Sequence, residues 1–446
     1  MRPTLSLPAP VCDTIGSLER AGFRAYAVGG CVRDLLLGRT PGDFDVTTDA
    51  TPDQVLHLFD GRALPTGTRH GTVTVQAGEM PIEVTTFRVD GGYLDGRHPD
   101  AVQFTASLPD DLARRDFTVN AMAYHPTEGL CDPYGGMKDL NCRVLRCVGD
   151  PDVRFSEDYL RILRCVRFAC TLSFAVEEKT FEAACAYAPG LARISRERIW
   201  SELSRVLACA NLEPLFVFLS RVGEWVLPPI KAMRGCAQNS PHHIYDVLGH
   251  TFKAVRAAPV DPVVRMALLL HDSGKPSCKT TENGRDHFYG HVEASARIAK
   301  QTLLDLRCPR AFTDEVLALI AWHDADLEPT GSCMRRLLNR LGEQGARRLL
   351  TVKRCDESAK APGGIPARLA HLDACEQMLA QVLAQKQAYT LSQLAVNGRD
   401  VMDACGVPAG PAVGRVLSRL LDAVIKGELP NEREALLGAA KSLADF

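Results

Sequence analysis

Gly29, Gly30, Arg33, Asp43 and Asp45 fall within one short stretch, GGCVRDLLLGRTPGDFDVTT, residues 29–48. Side chains alternate along a β-strand, so Asp43 and Asp45 project to one face while Phe44 projects to the other, into a core. Two carboxylates on one face suit a hard divalent cation such as Mg²⁺, which takes oxygen ligands and leaves positions open to water or substrate phosphates. That is the equipment of phosphoryl or nucleotidyl transfer. Upstream, the glycine pair closes an apolar run, AYAV, and opens a helical pattern, VRDLLLG. Backbone N–H groups there can approach a triphosphate, and Arg33 can neutralise it. A D-x-D pair alone is a common surface feature; the glycine-arginine turn thirteen residues before it makes the combination chemical.

A second group lies in EDYLRILRCVRF, residues 157–168. Asp158, Arg161, Arg164 and Arg167 recur at three-residue steps, drifting around one side of a predicted helix whose Leu160, Leu163 and Phe168 face a core. An aspartate beside an arginine can exchange hydrogen bonds with the Watson–Crick edge of a base. The plainer alternative is a surface ion pair with two spare arginines. A third group is a histidine series, since residues 242–323 hold seven of the twelve histidines. His271 and Asp272 are adjacent; with His250 and Asp356 they complete one metal site, and His291 and His323 are available for a second. His242, His243 and His287 have no assigned place, and a helical body that only binds RNA remains the alternative.

The elements that must position these groups divide the chain. Residues 1–145 mix short β-rich runs (FRAYAV, FDVTT, GTVTVQAG, PIEVTTF) with Gly and Pro punctuation and two helical patterns, an α+β head. From residue 146 onward apolar residues recur at helical steps, as in RERIWSELSRVL. A polar break, RGCAQNSPHH, and a later one, PGGIPARL, separate a helical neck over 146–238, a histidine-bearing segment over 239–360 and a helical tail over 361–446. Within 335–360, eight basic residues (Arg335, Arg336, Arg340, Arg347, Arg348, Lys353, Arg354, Lys360) face three acids, a solvated face or a track for RNA.

Composition bounds the rest. A chain of 446 residues with 46% hydrophobic content and a formal net charge of −2 builds several cores and has no global attraction for nucleic acid, so a polyanion must be met locally. MRPTLSLPAP lacks the pattern of a signal peptide and no window approaches eighteen apolar residues, which predicts a cytoplasmic protein without a membrane role. Sixteen scattered cysteines without C-x-x-C are expected as buried, reduced thiols. No protein partner can be inferred.

The motif G-G-x-V-R-D-x-L-L-G followed by D-x-D resembles the nucleotidyltransferase superfamily that includes DNA polymerase β, specifically its class II tRNA nucleotidyltransferase and bacterial poly(A) polymerase branch. RRDFTVNAMAY (114–124), DPYGGMKDL (132–140), EDYLR (157–161) and ISRERIWSEL (194–203) are similar to later motifs of that family. The order H…HD…H…H…D over 250–356 resembles the HD-domain phosphohydrolases. The resemblance implies a polymerase β-like α+β nucleotidyltransferase head followed by all-α neck, HD and tail domains. It implies template-independent CCA addition to tRNA from CTP and ATP, with Asp43 and Asp45 catalytic and holding two Mg²⁺. Gly30, Arg33 and Arg115 would position the triphosphate, Asp158 and Arg161 choose the base, and Arg164 and Arg167 contact nucleotide. Asp116 and Asn120 would hold ribose or local backbone. Glu83 is a further acidic candidate near the metals. The HD series would hold a second divalent metal and hydrolyse phosphate esters on RNA. Poly(A) synthesis, addition of the terminal A alone, and an HD phosphohydrolase with an inherited RNA-binding head are the competing expectations. The Gly-rich stretch TTFRVDGGYLDGRHPDAVQF (85–104) is expected as a mobile loop with few core residues.

Overall fold

The alternating apolar runs of the head pair into one mixed sheet. Its strands are β1 (Ala25–Val28), β2 (Asp45–Thr48), β3 (Ala63–Gly67), β4 (Thr72–Ala77), β5 (Met80–Thr86), β8 (Ala123–His125) and β9 (Gly129–Cys131), in spatial order β3-β4-β5-β2-β1-β8-β9. β6 (Arg88–Asp90) and β7 (Val102–Phe104) form a separate two-stranded ladder. β2 runs parallel to β5 and antiparallel to β1, with Asp45 opposite Glu83 on one side and Val28 on the other. The register therefore sets the catalytic candidate between the glycine turn and a third acid.

This computed structural model describes residues 4–91 and 102–443, and the chain divides into two compact units, residues 1–227 and 228–446. In the first, Val11, Ile15 and Leu18 from the helix Ala9–Arg20 and Val55 from the helix Pro52–Leu58 join Val46, Val73, Ile82 and Val84 in a buried cluster. Phe44 is part of it, while Asp43 is exposed; both precede β2, which begins only at Asp45, so the expected strand does not extend over Asp43 and Phe44. Tyr26, Val28, Phe87, Leu108 and Leu112 form a second cluster. Residues 92–101 of the expected loop lie outside the described residues. Its flanks depart from expectation: Arg88 pairs with Phe104 and Val89 with Gln103, while Phe87 is fully buried. An aromatic residue between two strands finds a core even where its neighbours are polar. After the sheet come helices over Pro151–Glu157, Leu160–Leu172, Glu178–Tyr187, Arg196–Leu207 and Glu213–Val222.

The second unit is helical apart from a small hairpin, Thr280–Glu282 with Arg285–His287. It begins at Pro228, upstream of the polar break near residue 240, because Ile230 and Met233 are fully buried in it. Helices Val247–Ala257 and His291–Asp305 carry His250 and His291, His271 and His323 cap the C-terminal ends of Pro262–Leu270 and Arg310–Trp322, and Gly331–Ser358 carries Asp356. The last is kinked at Gly342, whose φ of 68° is readily available to glycine. Helices Gly398–Cys405, Pro411–Lys426 and Arg433–Leu443 close around their own apolar cluster. All sixteen cysteines are free; six are buried and most of the others only half-buried. No helix among the described residues is long and apolar enough to cross a membrane.

Candidate active site

The glycine turn is shaped for close approach. Gly29 has φ 79°, its N–H bonds the Met122 carbonyl at 3.0 Å, and a Cβ on it would stand 2.9 Å from an Arg115 guanidinium nitrogen. Any other residue would strain the backbone and push that arginine away. Gly30 then opens a helix of seven residues ending at Leu36.

Asp43 is exposed and Asp45 half-buried, and both line one cavity of about 610 Å³ with Glu83. Burial first and then the Asp43 charge push the Asp45 carboxyl up to about 6; Arg115 opposes them, and Glu83 adds a smaller push. Such a cluster of oxygens, crowded enough to resist ionisation, fits a divalent cation, which would relieve the repulsion.

Arginines line the same cavity: Arg33, Arg115, Arg161, Arg164 and Arg167, together with Gly30, Asp116 and Asp158, so all the head and neck site candidates meet there. Arg115 Nε is buried without a hydrogen-bond partner. Arg33 is held more firmly than expected: Asp34 takes both Nε and Nη2 at 2.9 Å, and Asn120 Oδ1 accepts from Nη1 at 2.5 Å. Asn120 donates to Asp116 Oδ1 at 3.1 Å, and Asp116 Oδ2 accepts from Arg164 Nε at 2.8 Å. Burial alone would raise the Asp116 carboxyl, but the Arg164 charge and the Asn120 bond outweigh it and hold it at about 2. Arg167 is fixed by Glu202 at 2.6 Å. Arg33, Arg164 and Arg167 all stack near one ring, Phe168, at 5.2, 5.3 and 4.1 Å from its centroid. Phe168 thus borders the cavity as well as packing edge-on against Phe117.

The neck departs from the expected single helix face. Asp158 has φ −141° and ψ 105°, extended backbone between two helices, and its Oδ1 accepts from the Leu160 N–H at 2.9 Å. The short carboxylate caps the next helix instead of riding on it. Arg161 is buried. It donates to Glu157 Oε2 at 2.5 Å and to the carbonyls of Arg154 and Arg114 at 3.2 and 3.1 Å. Asp158 lies 3.6 Å from Arg198.

One organising residue had no place in the sequence argument. Asp111 is fully buried: Oδ1 accepts from Arg114 Nε at 2.9 Å and from the Arg88 N–H at 3.4 Å. Its Oδ2 accepts from Thr47 Oγ1 at 3.1 Å and from Arg115 Nη2 at 3.4 Å. It ties the strand of Asp45, the first residue of β6 and two arginines to one carboxylate. The local trace of this is D-x-x-R-R in DDLARRD, residues 110–116. Asp132 and Asp139 are structural: the first accepts from the Gly136 and Met137 N–H groups at 2.7 and 2.9 Å, the second from Thr118 and Arg146 at 2.7 and 3.1 Å.

The second unit brings its six candidates together. His250 Nε2 lies 2.7 Å from Asp356 and 3.7 Å from Asp272; His271 Nε2 lies 3.4 Å from Asp356 and 3.2 Å from Asp272. His291 and His323 approach the other Asp272 oxygen at 3.7 and 4.0 Å. Two triads sharing Asp272, with His250 and His271 or with His291 and His323, each have ligand atoms within 4.8 Å of one another. In three imidazoles Nδ1 meets a carbonyl three residues earlier: His271 to Leu268 at 2.7 Å, His291 to Phe288 at 3.0 Å and His323 to Ile320 at 2.7 Å. This fixes the tautomer that offers Nε2 to the cluster, the outer bonding that metal-ligating histidines use. The residues therefore fit a divalent metal.

Comparison with known proteins follows this geometry closely. The Poly A polymerase head domain family model matches residues 25–146, and a tRNA nucleotidyltransferase domain 2 model matches 287–440. The CCA-adding enzyme of Geobacillus thermodenitrificans is 35% identical over 434 residues, covering 95% of this chain and 94% of the relative. The chain belongs to the CCA-adding enzyme family. The crystal structure of the Bacillus stearothermophilus CCA-adding enzyme in complex with CTP superposes with a TM-score of 0.70 at 31% identity, covering 98% of each chain. The Thermotoga maritima CCA-adding enzyme, solved with tRNA, shares the fold with a TM-score of 0.60 at 19% identity over 97% of this chain and 94% of its own.

The basic run at 335–360, read from the sequence as a solvated face or a track for RNA, is mostly paired within the second unit. Arg335 donates to the Ile425 carbonyl at 2.9 Å, and Lys353 to those of His323 and Ala325 at 2.8 and 2.7 Å. Arg347 pairs with Glu343, Arg348 with Asp261 and Glu315, Arg354 with Asp373 and Glu376, and Lys360 with Asp356 and Glu357. Among the described residues only Arg336 and Arg340 of the eight are exposed without such a partner.

Proposed function

We propose that this protein adds C, C and A to the 3′ end of tRNA from CTP and ATP, acting in the cytoplasm. The observation that carries the reading is the single cavity that three acids and several arginines line together with the Asp158–Arg161 segment. Asp43 and Asp45 would hold Mg²⁺, with Glu83 adjacent. Bound there, the metal supplies charge neutralisation and a more acidic 3′-hydroxyl. Gly29 and Gly30 leave room for phosphates, and Arg33, Arg115, Arg164 and Arg167 balance their charge. The 3′-oxygen of the acceptor attacks the α-phosphorus, a phosphodiester forms, the bond to pyrophosphate breaks, and the hydroxyl proton passes to solvent. Asp158 and Arg161 choose the base, with Glu157 holding the arginine in place. We divide the work among a head (1–145), neck (146–238), HD segment (239–360) and tail (361–446).

The test uses tRNA ending at the discriminator base with labelled CTP, ATP or both. Growth by two C and one A, then a stop, supports the reading. Unlimited A addition from ATP alone would replace it with poly(A) synthesis, and addition of A only to tRNA already ending in CC would replace it with A addition.

A second reading is favoured by the convergence of six His and Asp side chains with three imidazoles pinned through Nδ1. We propose that this HD cluster binds a divalent metal and hydrolyses phosphate esters on RNA ends.

A further inference from the structure

A cavity of about 530 Å³ in the second unit has Asp272 and His323 among its buried walls and His287, Phe288 and Tyr289 along its outer edge. Tyr289 is 74% exposed, the most exposed large hydrophobic residue among those described. The ring is also pre-set. It lies parallel to the His287 imidazole, at 7° between planes and 5.4 Å between centroids, and its hydroxyl is 3.4 Å from His287 Nδ1. A ring braced in this way gives up little rotamer freedom when a second flat group stacks on its free face.

Position adds the chemistry of that flat group. Gly290, with φ 75°, turns the chain so that Tyr289 stands two residues before His291 of the metal-binding cluster. Two residues span at most about 7 Å, so a stacking surface and a phosphate-directed site are joined over the reach of one nucleotide. The cavity wall also carries Lys275 and Lys360, whose Nζ atoms lie 2.7 and 3.1 Å from Asp272 and Asp356. A phosphoester of glycerol offers no flat face to stack on an aromatic edge. A nucleobase does, because every base has a π-face.

We propose that Tyr289, backed by His287, is a base-stacking platform, and that this cavity takes a nucleoside monophosphate unit with its base on Tyr289 and its phosphate toward the Asp272 cluster. The proposal rests on the reading of that cluster as a phosphate-handling metal site. The unit can come as a free mononucleotide or as the 3′-phosphorylated end of an RNA.

Isothermal titration of the full-length chain loaded with Mn²⁺ tests it, using adenosine 3′-monophosphate, a 3′-phosphorylated tetraribonucleotide and glycerol 2-phosphate. Tyr289→Ala is expected to weaken binding of the two nucleotide probes about tenfold, from the usual worth of one base stacked on an aromatic ring. It should leave glycerol 2-phosphate unchanged, and Tyr289→Trp should restore the nucleotides. Nucleotide binding at the head is common to all three chains and cancels. Whichever nucleotide probe binds more tightly through Tyr289 names the source. No loss with Tyr289→Ala, or equal loss for glycerol 2-phosphate, overturns the platform. Phosphate release is followed on the same probes: Tyr289-dependent binding without hydrolysis removes the hydrolytic reading and leaves the platform standing, whereas hydrolysis with binding indifferent to Tyr289 does the reverse.

Discussion

Asp45→Asn should stabilise the metal-free protein while abolishing nucleotidyl transfer. The folded carboxyl titrates at about 6 rather than 3.8, because it is buried and faces Asp43 and Glu83. The folded state thus holds this proton more tightly than the unfolded chain, so stability falls as pH rises from about 4 to about 6 and the whole cost persists above that window. A displacement of about 2 pH units corresponds to about 3 kcal/mol at pH 7.5 and to about 1.6 kcal/mol at pH 5. An amide has the shape of the protonated acid and carries no charge, so the variant escapes that cost. Urea denaturation in EDTA at the two pH values, followed by a probe in the first unit, should show the variant more stable by roughly these amounts. Added Mg²⁺ should raise the midpoint of the wild type and not that of Asp45→Asn, since the cation relieves a repulsion the variant lacks. If the variant is no more stable than wild type at pH 7.5, or if its advantage is as large at pH 4 as at pH 7.5, a buried, crowded carboxylate at Asp45 does not cost the folded state.

Three further outcomes are expected. Asp111→Asn removes the charge that holds Arg114 and Arg115; because both arginines keep some solvent access, the loss should be about 3 kcal/mol, the lower end for orphaning buried charge, with KM for both nucleotides raised. Urea denaturation and steady-state kinetics read the two effects. Glu157→Gln loosens Arg161, and incorporation of UTP or GTP relative to CTP and ATP should rise about tenfold, the scale of one base-edge contact. His271→Ala should abolish divalent-metal uptake by the second unit and leave CCA addition intact, while Asp43→Ala does the opposite. In the wild type, where burial opposes but Asp272 and Asp356 raise the His271 imidazole to about 10, metal binding at pH 8 should release about one proton, measured by calorimetry in buffers of different ionisation enthalpy.

The legible part of this protein is the part whose geometry is local. A glycine at φ 79° and a Phe44 buried between the exposed Asp43 and the half-buried Asp45 are set within a few residues of chain, and type and spacing reveal them. The Asp158 break was hidden because apolar periodicity runs through it unbroken, whereas the cue against a continuous helix, a short carboxylate able to cap the Leu160 N–H, carries no periodic signal. Distance in sequence hid the rest. Arg335 looks free until Ile425, ninety residues on, supplies its acceptor, and Arg348 until Asp261 does, eighty-seven residues before. Charge counts along a chain therefore overstate the cations left for RNA, since they cannot see acceptors that folding delivers. The same blindness understated Asp111, whose partners come from β2, from the start of β6 and from its own helix. In both cases the unseen quantity is pairing. A sequence displays which charges exist, and the fold decides which of them already have partners; in the head cavity Arg115 gives Nη2 to Asp111 and keeps Nη1 beside the Gly29 turn, 2.9 Å from where a Cβ would stand.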